Sequence, residues 1–311
     1  MAKLAMVFPG QGSQSVGMLQ AYGGHPEIEA VLAAASGVLG QDIGRLVAEG
    51  PAEELNSTVN TQPAMLVAGY AVYRLWRALG GPEPDMVAGH SLGEYTALVV
   101  AGALRFEDAL PLVRFRAQAM QEAVPQGTGA MAAILGADDD AVRAACAEAA
   151  QGEVVEAVNF NAPGQVVIAG HAAAVDRAVE LAKARGAKRA VKLPVSAPFH
   201  SSLLAGAAAR LGERLAGVPV SPPRVPVIHN YDVATHESPD AIRAALVAQA
   251  DHPVRWVETI RAFAARGATL VAECGPGKVL APLVKRTADG LQGLALSDRA
   301  AVEAAIAQTR G

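Results

Sequence analysis

The chain contains few cysteines and has no large excess of positive or negative charge. Its 311 residues contain two cysteines, Cys146 and Cys274, which lie far apart and outside any Cys-x-x-Cys spacing. A disulfide framework or a zinc site is therefore not indicated, and a reducing, cytoplasmic compartment fits best. The net charge of −4 gives no reason to expect nucleic-acid binding.

Long hydrophobic runs, aromatic residues and clustered metal ligands are also missing. The apolar run at residues 4–8 stops at Pro9-Gly10, so it predicts a first strand rather than a signal peptide or a membrane span. Aromatic residues make up 4% of the chain against 51% hydrophobic residues, which predicts an aliphatic, alanine-rich core. The seven histidines are scattered without a His-x-x-x-His spacing, so we expect neither a metal nor another cofactor.

A serine between two glycines is the most informative feature that is present. Gly89-x-Ser91-x-Gly93 follows three small apolar residues, 86–88, that suit a buried strand, and it precedes an apolar pattern typical of a helix. This is the context of a nucleophile elbow, a strained turn that lifts a serine hydroxyl above a sheet. We expect so sharp a bend to leave no room for a Cβ on either glycine and to need backbone angles that other residues adopt only at a cost. Such a pentapeptide also arises by chance, so the assignment depends on the strand predicted before it and the helix predicted after it.

A second glycine-rich loop follows the first predicted strand. Gly10-x-Gly12 resembles part of a dinucleotide-binding loop, but Ser15 stands where a third glycine is required, and no Gly-Lys-Ser/Thr ending marks a phosphate loop. The other interpretation is a loop whose backbone approaches the elbow. Such a loop supplies the second hydrogen-bond donor that elbow enzymes need for an oxyanion.

Predicted strands and helices alternate along the chain, which favours a mostly parallel sheet covered on both faces. The pattern changes after a linker at 125–129. The elements that follow are strand 130–135, helix 138–149, strand 154–160, strand 165–169, helix 172–185 and strand 189–193. This βαββαβ order is typical of a ferredoxin-like unit. We therefore predict an α/β fold with a hydrolase-like core, residues 1–127 and 196–311, and a small ferredoxin-like domain inserted at 128–195.

Three side chains outside the elbow are candidates for chemistry. On a predicted helix at 107–122, Arg114 and Arg116 lie about 200° apart, so at most one of them points into a site. His200 directly follows the predicted small domain in a proline-containing turn, where it is either a polar cap or a catalytic base. His90 is a poor base for Ser91, because neighbouring side chains at an elbow diverge.

Five motifs, in this order along the chain, resemble those of the bacterial malonyl-CoA:acyl carrier protein transacylases. They are Gly10-Gln11-Gly12-Ser13-Gln14, Gly89-His90-Ser91-Leu92-Gly93-Glu94-Tyr95, Asn159-Phe160-Asn161-Ala162-Pro163-Gly164-Gln165, Ser196-Ala197-Pro198-Phe199-His200-Ser201 and Glu273-Cys274-Gly275-Pro276-Gly277. The resemblance extends from the first predicted strand to the last part of the chain.

The resemblance implies a ping-pong acyl transfer. Ser91 would take the malonyl group from malonyl-CoA and pass it to the phosphopantetheine thiol of acyl carrier protein, with His200 as the base. The resemblance places the oxyanion hole at the backbone N–H groups of Gln11 and Leu92. It also implies that the backbone carbonyl of Gln249 orients the histidine.

The resemblance assigns the acyl pocket as well. Arg116 matches the malonate-binding arginine, whose planar fork can hold a free carboxylate by two parallel hydrogen bonds. Phe199 precedes His200 at a position where related polyketide acyltransferase domains that select malonyl carry phenylalanine. A ring there would fill the space that a methyl branch on the acyl group needs.

The carrier protein of this family is small and acidic, so we expect a local basic patch on this acidic chain. The candidates are Lys285 and Arg286 on a late helix and Lys188, Arg189 and Lys192 in the small domain. We expect a monomer with no nucleic-acid or membrane partner.

Two other functions stay open. A serine hydrolase or thioesterase shares the elbow and the oxyanion hole but lets water remove the acyl group. A carrier-protein-binding scaffold without catalysis would need Ser91 or His200 to be replaced, and both are present.

Overall fold

The computed structural model describes residues 3–195 and 197–310, in which nine strands and thirteen helices follow one another. The strands are β1 (Leu4–Phe8), β2 (Met86–Gly89), β3 (Gly129–Leu135), β4 (Val155–Ala162), β5 (Gln165–His171), β6 (Arg189–Lys192), β7 (Val227–Ile228), β8 (Leu270–Glu273) and β9 (Gln292–Ala295). The helices are α1 (Pro26–Leu39), α2 (Ile43–Glu49), α3 (Ala52–Asn56), α4 (Thr58–Ala78), α5 (Gly93–Val100), α6 (Phe106–Gln121), α7 (Asp139–Ala150), α8 (Ala172–Ala184), α9 (Ala205–Ala216), α10 (Pro239–Asp251), α11 (Trp256–Ala265), α12 (Ala281–Thr287) and α13 (Arg299–Arg310).

Five strands form a parallel sheet in the order β7-β2-β1-β8-β9, which confirms the predicted parallel core. The central strand β1 shows why its sequence is apolar without a break. Leu4, Met6 and Phe8 pack into the apolar cluster on one face of the sheet. Ala5 and Val7 pack into the cluster on the other face. A strand covered on both sides has no solvent-facing position, so the alternation of apolar and polar residues disappears.

A second sheet of four antiparallel strands has the order β4-β5-β3-β6, and with α7 and α8 it completes the predicted ferredoxin-like βαββαβ unit. The two helices cover one face of this sheet. The other face is also apolar and packs against the chain that follows β6; the contacting residues are Met131, Val158, Val167, Ala169, Leu193, Val195 and Phe199. The domain division at 127/128 and 195/196 stays a prediction, and Ser196 lies outside the described residues.

Strand β4 links the small sheet to the rest of the molecule. The Phe160 N–H donates to the Val254 carbonyl at 3.0 Å, and the Val254 N–H donates to the Val158 carbonyl at 2.8 Å. Ser202 adds two bonds from its N–H and its hydroxyl to the Glu156 carboxylate, at 2.8 and 2.7 Å. Because residue 254 is extended in order to pair with β4, helix α11 begins only at Trp256.

The C-terminal part of the chain departs from the sequence prediction. Strand β7 has only two residues. Strand β9 and helix α13 were not predicted. The four residues of β9 include no β-branched or aromatic side chain and lie at the edge of the sheet, so their strand signal is weak. Helix α13 does carry a helical apolar pattern, through Val302, Ala305 and Ile306.

Among residues 3–195 and 197–310, no single helix is long and apolar enough to span a membrane. Helices α1 and α2 pass that test only when they are joined, and the pair is bent by 120°.

Candidate active site

The turn between β2 and α5 places Ser91 in a strained backbone conformation. Ser91 has a φ of 52°, in the left-handed region that residues with a Cβ rarely adopt. A Cβ on Gly89 would lie 1.8 Å from the Gly93 carbonyl carbon, and a Cβ on Gly93 would lie 2.0 Å from the Phe8 carbonyl oxygen. Neither glycine has a positive φ. The expectation that the glycines supply unusual angles is therefore wrong: they are required by close packing, and the strain falls on the serine.

The loop after β1 lies against this turn. Because β1 and β2 are parallel neighbours, the chain leaves both at the same edge of the sheet. A Cβ on Gly10 would come within 2.6 Å of the His90 carbonyl oxygen, so only glycine lets the loop approach so closely. The backbone N–H groups of Gln11 and Leu92 donate no hydrogen bond to any other described residue. Both residues line the same cavity as Ser91.

His200 lies beside the serine and comes from the chain beyond the small sheet. Its Nε2 is 2.7 Å from Ser91 Oγ, and its Nδ1 is 2.8 Å from the Gln249 backbone carbonyl on α10. A carbonyl oxygen only accepts, so Nδ1 carries the proton and Nε2 is free to accept the serine proton. Burial and the neighbouring Arg116 charge lower the pKa of His200 to about 3. The imidazole is therefore neutral at pH 7.

Arg116 reaches the serine from helix α6. Its side chain is buried, with an exposed fraction of 2%, and burial lowers its pKa. The guanidinium donates to the Gln62 side-chain oxygen at 2.6 Å, to the Gln249 side-chain oxygen at 2.9 Å and to Ser91 Oγ at 3.2 Å. It also lies 5.4 Å from the centre of the Tyr95 ring. Each of these acceptors is neutral.

Arg114 lies on a different side of α6. It donates to the Leu39 carbonyl at 3.2 Å and to the Gln41 side chain. The two arginines therefore point apart, as their spacing on a helix predicts. Arg116 lines the cavity at Ser91, and Arg114 does not.

The cavity at Ser91 has a volume of about 120 Å³ and both polar and apolar lining residues. The polar ones include the serine, His200, Arg116 and Gln62. The apolar ones include Met120, Met131, Leu193, Val195 and Phe199. The apolar face of the small sheet, which was not predicted, therefore contributes to the site through Met131.

Gln62 and Asn230 escaped the sequence analysis, whereas His90 was considered there and set aside as a base. Gln62 had a weak signal, as a polar residue directly before Pro63 in an apolar helix. His90 points away from the serine, and its Nε2 is 2.7 Å from the Asn161 side-chain oxygen on β4. Asn230 contacts the Ser91 backbone from the chain after β7, and no local pattern marks it.

The predicted basic patch is only partly available for a partner. Arg286 donates to the Gln165 side-chain oxygen at 2.7 Å and to the Pro163 carbonyl at 3.4 Å, so it holds the β4–β5 turn. Lys192 forms an ion pair with Asp176 at 2.5 Å. Lys285, Lys188 and Arg189 are exposed.

No group of three or more histidine, cysteine, aspartate or glutamate side chains in the described part of the chain could hold a metal ion. Cys146 and Cys274 are both buried free thiols, and burial raises the pKa of each. Buried thiols of this kind are unreactive, which leaves Ser91 as the nucleophile candidate of the cavity.

Comparisons with known proteins agree with this geometry. Residues 5–306 match the acyl transferase domain family. The chain is 53% identical over 307 residues to the malonyl CoA-acyl carrier protein transacylase of Escherichia coli K12, covering 98% of this chain and 99% of that protein.

Solved structures show the same relationship. The acyl-carrier-protein S-malonyltransferase of Burkholderia pseudomallei 1710b is 62% identical and superposes with a TM-score of 0.97, covering 98% of this chain and 99% of that one. A malonyl-transacylase solved in complex with its type II PKS acyl-carrier protein is 49% identical with a TM-score of 0.97, covering 99% of this chain and 100% of that one. The chain therefore belongs to the acyl transferase family, among the malonyl-CoA:acyl carrier protein transacylases.

Proposed function

We propose that the protein transfers the malonyl group from malonyl-CoA to the phosphopantetheine thiol of acyl carrier protein, through a malonyl ester on Ser91. The product would supply extender units for fatty acid synthesis. The observation that carries the proposal is the buried, positively charged Arg116, which has only neutral acceptors within hydrogen-bond distance and reaches Ser91 Oγ. A buried charge without a directly bonded counter-charge is costly, and a substrate carboxylate would supply that partner.

The first half-reaction follows from the contacts of Ser91. Ser91 Oγ attacks the thioester carbonyl carbon while His200 Nε2 accepts the hydroxyl proton. The carbonyl oxygen becomes negative and accepts hydrogen bonds from the free N–H groups of Gln11 and Leu92. When the tetrahedral intermediate collapses, the C–S bond breaks, and His200 returns the proton to the leaving thiolate. The Gln249 carbonyl holds the imidazole in the required tautomer throughout.

The second half-reaction runs the same steps in reverse. His200 accepts the proton of the carrier-protein thiol, whose sulfur attacks the malonyl ester. The C–O bond to Ser91 then breaks, and the proton returns to Oγ. Every proton and leaving group is accounted for by this chain, one thioester substrate and one thiol substrate, so the proposal includes no cofactor.

Arg116 selects the acyl group in this proposal. Its planar fork matches a carboxylate by two parallel hydrogen bonds, which a neutral acyl group cannot accept. To bind malonyl, the guanidinium exchanges its contact with Ser91 Oγ for the substrate carboxylate and keeps its glutamine contacts. Phe199 and the other apolar side chains surround the remaining acyl atoms.

The alternative functions fit the site less well. A general serine hydrolase has no use for a buried guanidinium that has no directly bonded carboxylate and lies beside its nucleophile. A non-catalytic scaffold has no use for a serine and a histidine at 2.7 Å with the histidine in an accepting tautomer.

Mass spectrometry of the intact protein tests the proposal directly. After incubation with malonyl-CoA, we expect one malonyl adduct on Ser91 and none on the Ser91→Ala variant. The adduct should discharge to holo acyl carrier protein much faster than to water. An adduct on another residue would remove the nucleophile assignment, and equal rates with carrier protein and with water would favour the hydrolase.

We further propose that the exposed basic side chains of α12 guide the acidic carrier protein, and that the protein acts as a monomer, since one chain supplies every proposed site residue. Lys285→Glu should slow discharge to carrier protein while acylation from malonyl-CoA keeps its rate. Lys183→Glu, on an ion-paired face of α8, is the matched control. If both variants discharge at the wild-type rate, α12 is not the docking surface.

A further inference from the structure

We infer that Asn230 is a positioning residue, which holds Ser91 in its reactive conformation through hydrogen bonds to the backbone of the elbow. This inference rests on the proposed function, because it names what keeps the proposed nucleophile in place. It concerns a set of buried polar side chains, Glu94, His229, Asn230 and Gln249, which we call the elbow network.

Asn230 bridges the two sides of the elbow with one side chain. Its Oδ1 accepts from the Ser91 N–H at 2.8 Å, and its Nδ2 donates to the Gly89 carbonyl at 2.7 Å. A carboxamide supplies an acceptor and a donor side by side without a charge. The bridge therefore fixes the N–H of the strained residue relative to the end of β2.

Gln249 holds the other peptide group of Ser91. Its Nε2 donates to the Ser91 carbonyl at 2.8 Å and to Glu94 Oε2 at 3.1 Å. The N–H and the carbonyl of Ser91 are thus each bound by a side chain from a distant part of the chain. The side-chain oxygen of Gln249 accepts from Arg116, which connects the network to the proposed carboxylate site.

The Glu94 carboxylate is the centre of the network. Its Oε2 accepts from the Asn230 backbone N–H at 2.9 Å, and its Oε1 lies 2.7 Å from His229 Nδ1. All four network residues have an exposed fraction of 0%. The hydrogen bonds to a buried carboxylate are costly to break, so Glu94 fixes the Gln249 side chain and the Asn230 backbone in place.

This rigidity matters because the conformation of Ser91 is unfavourable by itself. A serine with a φ of 52° relaxes if its flanking peptide groups are free to rotate. Relaxation would move Oγ away from His200 Nε2 and the leucine N–H away from the oxyanion. A displacement of about 1 Å is enough to cost about 10²-fold in rate.

The test is the single-turnover rate of acylation per reactive serine. We would mix wild type, Asn230→Ala and Asn230→Asp with saturating malonyl-CoA, quench at short times and follow the Ser91 adduct by intact mass. We expect the rate constant to fall by about 10- to 100-fold for Asn230→Ala, with an unchanged half-saturating concentration because Arg116 is intact. Asn230→Asp keeps the acceptor and loses the donor, so its rate constant should lie between the other two.

The control separates positioning from general stability. Ile228→Val changes a fully buried residue of β7 two positions away and should lower the stability without changing the rate constant. If an Asn230 variant merely folds less well, a smaller fraction of the protein is labelled, but the rate constant of labelling equals that of the wild type. That result would show the inference to be wrong. Should Asn230→Ala fail to fold, Asn230→Asp decides by the same measurement.

A second probe distinguishes this inference from the proposed function. Phenylmethylsulfonyl fluoride reacts with an activated serine and needs no carboxylate recognition. Slower sulfonylation of the Asn230 variants supports the inference even if the wild type takes no malonyl group, in which case only the proposed function fails. Sulfonylation and acylation that both keep the wild-type rate constants would overturn the inference alone.

Discussion

Replacing Arg116 with alanine is the most discriminating perturbation of this site, because it separates recognition of the acyl group from the chemistry of transfer. Arg116 makes its proposed carboxylate contacts with malonyl only. Ser91, His200 and the two proposed oxyanion donors act on any acyl thioester. The variant should therefore lose malonyl transfer selectively.

The size of the loss follows from the contacts. A hydrogen bond to a charged group contributes about 1.5–3 kcal/mol, so a bidentate pair contributes roughly 3–6 kcal/mol. At about 1.4 kcal/mol per factor of ten, kcat/KM for malonyl-CoA should fall by about 10²- to 10⁴-fold. Acetyl-CoA has no carboxylate, so its transfer should fall little or rise. The ratio of the two substrates is insensitive to how much of the variant is folded.

The assay is transfer to holo acyl carrier protein from malonyl-CoA and from acetyl-CoA, each measured as kcat/KM. Arg114→Ala is the matched control, since it removes an arginine from the same helix that points to Gln41. Arg114→Ala should change neither kcat/KM value, nor the ratio of the malonyl-CoA value to the acetyl-CoA value, by more than about twofold, as expected of a change outside the site. Equal losses with both substrates in Arg116→Ala would refute the reasoning and make Arg116 a structural residue.

Four further outcomes follow from the same geometry. His200→Ala should slow acylation by about 10²- to 10⁴-fold, the usual range for a positioned base. Because the pKa of His200 is about 3, kcat/KM of the wild type should stay level as the pH falls from 8 to about 4. A decline in kcat/KM centred near pH 6.5, the ordinary pKa of histidine, would contradict the burial of the base. Phe199→Ser should raise methylmalonyl transfer relative to malonyl transfer by tens of fold at most, since one methyl group is worth about 1–3 kcal/mol in an apolar pocket. Competition between the two thioesters measures this ratio. An unchanged ratio in a folded variant would place the ring outside the acyl pocket. Gly93→Ala should abolish folding or labelling, because its Cβ would lie 2.0 Å from a carbonyl oxygen, whereas Gly206→Ala, with nothing within 4 Å, should be folded and active in thermal unfolding and labelling assays.

The parts of the fold that sequence reasoning reached are those that short stretches of chain determine. The apolar run that ends at Pro9-Gly10 predicts a strand from its own residues. A Gly-x-Ser-x-Gly turn between a strand and a helix has one compact geometry. The order of elements in the small sheet is likewise visible from periodicity and turn residues. Strand β9 escaped prediction because its four residues form a strand only through pairing with β8.

The side-chain contacts of the site could not be predicted in the same way. Asn230 bonds a residue 139 positions away, and the side chain of Gln249 bonds the Ser91 carbonyl 158 positions away. No local pattern encodes such pairs, because each depends on how several elements pack together. The resemblance pointed to the backbone carbonyl of Gln249, yet its side chain also joins Arg116, Ser91 and Glu94.

The closeness of Arg116 to His200 has a consequence for selectivity beyond binding. In the empty site, the arginine charge is the second cause, after burial, that lowers the pKa of the histidine. A malonyl carboxylate bound to that arginine cancels much of its charge, so the proper substrate strengthens the base that will act on it. An acetyl thioester leaves the charge uncancelled and meets a weaker base. In the proposed mechanism, selection therefore operates twice, once when the carboxylate binds Arg116 and again when the proton moves to His200.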